Sequence, residues 1–194
     1  MNKAPQLYII AGPNGSGKTT FASEFLPKYA DRPAFINADT LARGLSGFSP
    51  DAVALKAGRV LLEQIEIYAA KRMNFAFETT LSGTAYLVRL RDLKEKGYSI
   101  HLFFLWIPDV RLSLARVASR VKMGGHNIAE PVVRRRFHKG ITNFLHHYST
   151  AVDSWMLFDN SGSIPHLIAE AKFGETKVTD QKLYGQILSV VEGQ

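Results

Sequence analysis

The chain carries Gly12-Pro13-Asn14-Gly15-Ser16-Gly17-Lys18-Thr19-Thr20 directly after the apolar run Leu7–Ala11. A Gly-x4-Gly-Lys-Thr spacing between a strand and a helix forms a loop whose backbone N–H groups converge on one point. Its glycines keep side chains out of the way of that convergence. A helix starting near Ser16 aims the positive end of its dipole at the same point. Lys18 can reach β- and γ-phosphates, and the Thr19 hydroxyl can ligate Mg²⁺. The chemistry is that of a P-loop holding a nucleoside triphosphate. The plainer alternative is a glycine-rich turn that binds nothing, and the complete pattern in this context argues against it.

Two acidic residues follow strand patterns. Asp39 ends Phe35-Ile36-Asn37-Ala38-Asp39 and is placed to accept the proton of an acceptor hydroxyl during phosphoryl transfer. It also suits the N-cap of a following turn, and one residue can do both. Glu78 ends Phe75–Glu78 and precedes Thr79, Thr80 and Ser82. This acid and these hydroxyls suit a hydroxylated substrate or a Mg²⁺-bound water, or else plain turn chemistry. Glu78 competes with Asp39 for the role of base.

Arg111, Arg116, Arg120, Lys122, Arg134, Arg135, Arg136 and Lys139 crowd one stretch. Such a stretch is either solvated surface, an RNA-binding face, or a lid of arginines over a triphosphate. Arg116 and Arg120 lie four apart on one helix face, with Leu114, Val117 and Val121 on another. In the next helix Val133, Phe137, Ile141, Phe144 and Tyr148 form the apolar stripe. Arg134 falls at its edge, Arg135 faces solvent, and Arg136 lies between. Arg120 and Arg134 are therefore the candidates to offset charge on the transferred group. His126 follows Gly124-Gly125 and either approaches phosphate or shapes the turn. His146-His147 lacks a carboxylate at metal spacing. Asp159-Asn160-Ser161-Gly162 is a good turn that could also hold an adenine edge.

The elements that must position these groups alternate. Strands are expected at Leu7–Ala11, Ala34–Asn37, Phe75–Glu78, Ile100–Trp106, Trp155–Phe158 and Ile164–Ala169. Helices are expected at Lys18–Tyr29, Pro50–Arg72, Ala85–Lys96, Asp109–Lys122, Pro131–Tyr148 and Asp180–Val191. Ser49, Pro50 and Asp51 form a helix start. The near-continuous apolar run before Trp106 belongs to a strand covered on both faces. Alternation of this kind predicts an α/β domain with a mostly parallel sheet. Ligands then collect at the carboxyl ends of the strands, where the P-loop, Asp39, Glu78–Gly83 and Asp109 gather. The Gly44–Gly47 and Gly124-Gly125 turns are hinge-like, and residues 1–194 are expected to form one domain.

Composition agrees with this reading. Of 194 residues, 46% are hydrophobic and 21% charged, as in globular proteins. With no cysteine, disulfides and thiolate chemistry are excluded. No apolar run approaches a membrane span, and the N-terminus lacks a signal segment, so a cytoplasmic protein is expected. A net charge of +7 points to anionic partners.

Taken in order, several segments resemble the zeta toxin family of P-loop kinases, in its short bacterial branch. They are the P-loop, Ile36-Asn37-Ala38-Asp39, Phe77-Glu78-Thr79-Thr80-Leu81-Ser82-Gly83 and Arg116-Val117-Ala118-Ser119-Arg120-Val121. Gly124-Gly125-His126, Arg134-Arg135-Arg136-Phe137 and Asp159-Asn160-Ser161-Gly162 complete the set. The similarity runs from about Leu7 to about Glu170. It implies a three-layer P-loop fold with an arginine-bearing helical lid and ATP-dependent phosphorylation of UDP-N-acetylglucosamine on a sugar hydroxyl. It implies further that Lys18 is the Walker lysine, that Asp39 is the general base, and that Glu78 and Thr80 contact the sugar nucleotide. Arg120 and Arg134 match the family's lid arginines approximately, and a separate helical antitoxin is the family's partner.

The expected function is thus a cytosolic kinase using ATP and Mg²⁺ on a nucleotide-linked acceptor. One rival is a polynucleotide or other small-molecule kinase on the same scaffold. The basic stretch lacks the interleaved exposed aromatics of single-strand binders, which argues against nucleic acid. A rival of another class is an ATP-binding regulatory module with little turnover. No Asn/Thr-Lys-x-Asp guanine-reading motif is present, which favours adenine.

Overall fold

The computed structural model describes residues 4–28, 30, 33–37, 50–125 and 127–193, with side chains of the long second helix described from Lys56. Asp39, Ser49, the Gly44–Gly47 turn and His126 lie outside the described residues, as do Tyr29 and the side chains of Pro50, Asp51 and Leu55. The elements are β1 (Gln6–Ala11), α1 (Lys18–Glu24), β2 (Ala34–Ile36), α2 (Pro50–Ala70), β3 (Phe75–Thr79), α3 (Tyr86–Glu95) and β4 (Ser99–Trp106). They continue with α4 (Val110–Lys122), α5 (Glu130–Asn143), β5 (Ser154–Asp159), β6 (His166–Lys172), β7 (Glu175–Val178) and α6 (Gln181–Glu192). A wider π-helical turn, Phe144–Tyr148, prolongs α5, and a short helical turn, Ser149–Ala151, follows it.

The strands form one sheet in the order β2-β3-β1-β4-β5-β6-β7. The first five are parallel, and β6 and β7 add antiparallel at one edge. Side chains of a strand alternate between faces, and both faces of this sheet are buried. Leu7, Ile9, Ile100, Leu102 and Phe104 join a core with Leu61 and Ile65 of α2 and Leu90 and Leu93 of α3. Tyr8, Ile10, Phe103, Leu105 and Phe158 pack on the other face against Phe21 and Leu26. This is the three-layer α/β arrangement that alternating strand and helix patterns require.

Two boundaries and one additional strand depart from expectation. The first helix ends at Glu24 rather than Tyr29, and Leu26–Lys28 forms a separate 3₁₀ turn. Pro27 lacks the N–H needed to continue an α-helix. The sixth strand runs from His166 to Lys172 rather than Ile164 to Ala169. Pro165 precedes it, and Ile164 is 75% exposed. The edge strand β7 is absent from the expected set. Its four residues are mostly exposed and carry one apolar side chain. A Phe173-Gly174 turn with φ of 53° and 86° determines it, the geometry of a tight hairpin.

Candidate active site

Gly12–Thr19 leaves the carboxyl end of β1 at the centre of the sheet, flanked by β3 and β4. Gly17 has φ 83°, and a Cβ there would lie 2.6 Å from Asn160 Nδ2. Only glycine meets both demands, a left-handed backbone and a close neighbour. Asn160 Nδ2 donates to the Ser16 carbonyl at 2.6 Å, and Ser113 Oγ donates to the Asn14 carbonyl at 2.5 Å. Lys18 Nζ donates back to the carbonyls of Gly12 (2.9 Å) and Pro13 (2.8 Å).

Arg116 extends from α4 to three backbone carbonyls. Its Nη1 donates to Gly15 (3.2 Å) and Asn160 (3.0 Å), and its Nη2 to Ser161 (2.6 Å). One guanidinium therefore ties the phosphate loop to the turn after β5. That turn is itself an Asx-turn, with Ser161 N–H donating to Asp159 Oδ1 at 2.9 Å. Between loop and turn lies a cavity of about 320 Å³ lined by Gly17, Phe25, Arg116, Asn160, Gly162 and Ser163. The volume has room for a purine, and a wall of aromatic and polar residues suits one. A larger cavity of about 470 Å³ has Asp153, Trp155 and Tyr184 in its wall. It sits at the amino end of β5, the end of the sheet away from the phosphate loop, so the smaller cavity is the one tied to this chemistry.

On the other side of the loop, Thr19 Oγ1 donates to Glu78 Oε2 at 3.0 Å. The two oxygens are brought together because β1 pairs with β3 in register Ile10↔Glu78 and Ala11↔Thr79. A hydroxyl and a carboxylate oxygen beside a phosphate loop fit Mg²⁺, which takes one or two protein oxygens and completes its shell with phosphate and water. Beyond Glu78, Thr80 Oγ1 and Ser82 Oγ lie 3.0 Å apart, forming a hydroxyl pair at the mouth of β3.

The arginines stand in different settings. Arg116 holds the P-loop. Arg134 forms a pair with Glu130 one turn earlier, Nε donating to Oε1 at 2.8 Å and Nη2 lying 2.7 Å from it, with both side chains about half exposed. Arg120 is half-buried and backs onto the glycine turn, where a Cβ on Gly125 would lie 2.7 Å from Arg120 Cγ. Arg135 is exposed, as its place opposite the apolar stripe requires. Asp109 caps α4 and is hydrogen-bonded by the Arg111 side chain (2.7 Å) and backbone N–H (2.7 Å). The Arg111 side-chain bond, then the backbone one, holds the Asp109 carboxyl below its usual range.

Sequence reasoning named Arg116 and the Asp159–Gly162 turn without joining them to the P-loop. It missed Ser113 and Phe25. Their signals are a serine in a helix otherwise read as basic and apolar, and an aromatic one helical turn past Phe21.

Comparison with known proteins follows this geometry. The family model described as Zeta toxin matches residues 1–164. An uncharacterized protein of Haemophilus influenzae is 35% identical over 129 residues, 66% of this chain and 90% of that protein. The AvrRxo1-ORF1:AvrRxo1-ORF2 complex with sulphate ions superposes at TM-score 0.76 with 21% identity, and with ATP at 0.76 with 22%. In both, the match covers 96% of this chain and 64% of that chain, so this chain spans less than two thirds of that relative's length. The PezAT toxin–antitoxin system of Streptococcus pneumoniae superposes at TM-score 0.65 with 14% identity, covering 99% of this chain and 86% of that one. At these identities the structural likeness is one of fold.

Proposed function

Because the chain belongs to the zeta toxin family, we propose that it is an ATP-dependent kinase acting on a hydroxyl of a nucleotide sugar such as UDP-N-acetylglucosamine. The observation that carries this reading is the arrangement on the two sides of Gly12–Thr19. A purine-sized cavity lies toward Asn160, and the Thr19–Glu78 oxygen pair with the Thr80 and Ser82 hydroxyls lies toward β3. Nucleotide enters from one side and acceptor from the other, so the γ-phosphate meets the acceptor over the loop.

In this reading the backbone of Gly12–Thr20 cradles the phosphates. Lys18 exchanges its two carbonyl partners for phosphate oxygens, a stronger charge-assisted contact. Thr19 and Glu78 hold Mg²⁺, which when bound neutralises charge on the β- and γ-phosphates. Asp39, three residues past the end of β2 in sequence, accepts the proton of the acceptor hydroxyl. Glu78 and Thr80 orient the acceptor. Arg120 and Arg134 offset charge on the transferred group, and Arg134 must first release Glu130. Residues 1–194 act as one kinase domain in the cytoplasm. Among the described residues no helix is long and apolar enough to cross a membrane. A separate antitoxin protein is the proposed partner, supported by the likeness to PezAT. Support for ATP comes from the likeness to the complex solved with it.

The test is transfer of labelled γ-phosphate from ATP-Mg²⁺ to UDP-N-acetylglucosamine, alongside nucleoside, sugar and oligonucleotide panels, with Lys18→Ala as control. Label on the UDP-sugar, lost in the control, is the expected result. Label on another acceptor replaces the substrate and keeps the kinase. ATP binding with no acceptor labelled overturns the kinase reading in favour of a regulatory module.

A further inference from the structure

The loop after β3, Thr80–Gly83, rests on one helix through contacts that no motif announces. Asn143 Nδ2 donates to the Leu81 carbonyl at 2.7 Å. The Tyr148 hydroxyl donates to the Gly83 carbonyl at 2.7 Å. At Gly140 the helix comes so close that a Cβ would lie 2.6 Å from the Thr80 carbonyl. Three successive parts of the loop thus rest on one helix face.

The π-helical turn Phe144–Tyr148 makes that face. At about 100° per residue, a regular α-helix would place Asn143 about 60° to one side of Gly140 and Tyr148 about 80° to the other. One residue inserted by a π turn sets the following positions back by about 100°. Tyr148 then lies between Gly140 and Asn143 in angle, and all three address the loop. Phe144 anchors the turn in the core, with its ring 4.8 Å from Phe104 and 5.4 Å from Trp155.

The loop needs such support because Leu81 has φ 49°, a left-handed backbone that a leucine rarely adopts. Leu81 is itself buried, and its N–H donates to Thr79 Oγ1 at 3.2 Å. The Tyr148 hydroxyl is pushed up to about 12, chiefly by burial, and remains a donor over the whole working range.

We propose that Gly140, Asn143 and Tyr148 form a positioning platform that holds the Leu81 kink and thereby sets where the Thr80 and Ser82 hydroxyls meet the acceptor. The inference rests on the acceptor side of the reading above and names residues that act through the loop. A one-residue helical insertion, not a catalytic group, fixes the acceptor subsite.

The test compares Tyr148→Phe and Gly140→Ala with wild type, using UDP-N-acetylglucosamine as acceptor. Tyr98→Phe is the control. It removes another part-buried hydroxyl, bonded to the carbonyls of Tyr68 (3.1 Å) and Met73 (3.0 Å), away from the loop. Tyr148→Phe should raise the acceptor KM about five- to tenfold, the worth of a lost hydrogen bond, and Gly140→Ala should raise it at least as much by pressing a Cβ against the Thr80 carbonyl, each with the ATP KM within about twofold. Tyr98→Phe should leave both unchanged. Equal rises in both KM values, no rise, or the same split in Tyr98→Phe overturns the platform. Wild type that leaves the UDP-sugar unlabelled removes the substrate reading instead. Amide hydrogen exchange then decides the platform. Faster exchange at Leu81–Gly83 in Tyr148→Phe, with Gly12–Thr19 unchanged, supports it, and unchanged exchange at Leu81–Gly83 overturns it.

Discussion

The Thr19 hydroxyl donates to Glu78 Oε2 at 3.0 Å, joining the phosphate loop to the end of the neighbouring strand across 59 residues of sequence. The contact puts an anionic oxygen beside the hydroxyl that ligates the metal in P-loops. Glu78 therefore stands where it can serve metal and acceptor alike.

Glu78→Gln separates those two duties. The amide keeps an acceptor oxygen for Thr19 and loses the charge. Activity should fall at least about 10- to 100-fold, the loss that even a residue behind a metal's ligands brings, with the Mg²⁺ midpoint displaced upward. Mg²⁺ titration at fixed ATP reads this. An unmoved midpoint with a raised acceptor KM would assign Glu78 to the acceptor alone.

Arg116→Ala removes the guanidinium that binds three carbonyls of two segments. Hydrogen bonds to a charged, half-buried group support about 2 kcal/mol of stability. The melting temperature should drop, and ATP affinity should weaken about tenfold. Arg116→Lys should recover only part of either, because an ammonium cannot span the fork. Thermal melts with and without ATP check both.

Gly17→Ala should weaken ATP binding about 10- to 100-fold. The φ of 83° disfavours any Cβ, and Asn160 Nδ2 would be 2.6 Å from it. Removing the clash with Asn160→Ala should not rescue binding, since the backbone strain persists. Calorimetric titration with ATP measures each variant.

Asp39→Asn should leave ATP binding intact and abolish transfer if Asp39 is the proton acceptor of the proposed reaction. Binding and label transfer measured on one preparation separate the two. Full activity in the variant would move the base to Glu78.

His101 gives a pH dependence of stability remote from the site. Its ring bonds Ser154 and Gln6, each at 2.7 Å, and stacks 5.3 Å from Tyr8. Burial lowers its pKa below the model-peptide 6.5, against a smaller upward pull from Asp153. The unfolded chain therefore binds the proton first as pH falls. The contribution is fully present above pH 6.5 and is lost as pH drops below it. Urea unfolding from pH 7.5 to 5 should show stability falling, with a shallower slope in His101→Gln.

The P-loop was legible because it is contiguous. Its function needs eight successive residues between a strand and a helix, and the backbone of that segment makes the cradle. The parallel sheet was legible in the same way, since a strand covered on both faces leaves an apolar run such as Ile100–Trp106. The antiparallel edge was less so, because an exposed short strand like β7 carries little pattern. The platform under the acceptor loop was invisible. Tyr148 reads as one more apolar position in a helical stripe, and a one-residue π insertion leaves no periodic mark strong enough to detect.

The sequence by itself determined the phosphate-binding loop, the alternating architecture and the order of candidate groups, because each is written in neighbouring residues under local rules of backbone and burial. Tertiary structure decided which arginine clasps the loop, which turn walls the cavity beside it and which side chains bond the carbonyls of Leu81 and Gly83. Arg116 and Ser161 are 45 residues apart, and Tyr148 and Gly83 are 65. Such pairs form only when packed helices and a registered sheet bring donors to carbonyls, and no local preference encodes that meeting.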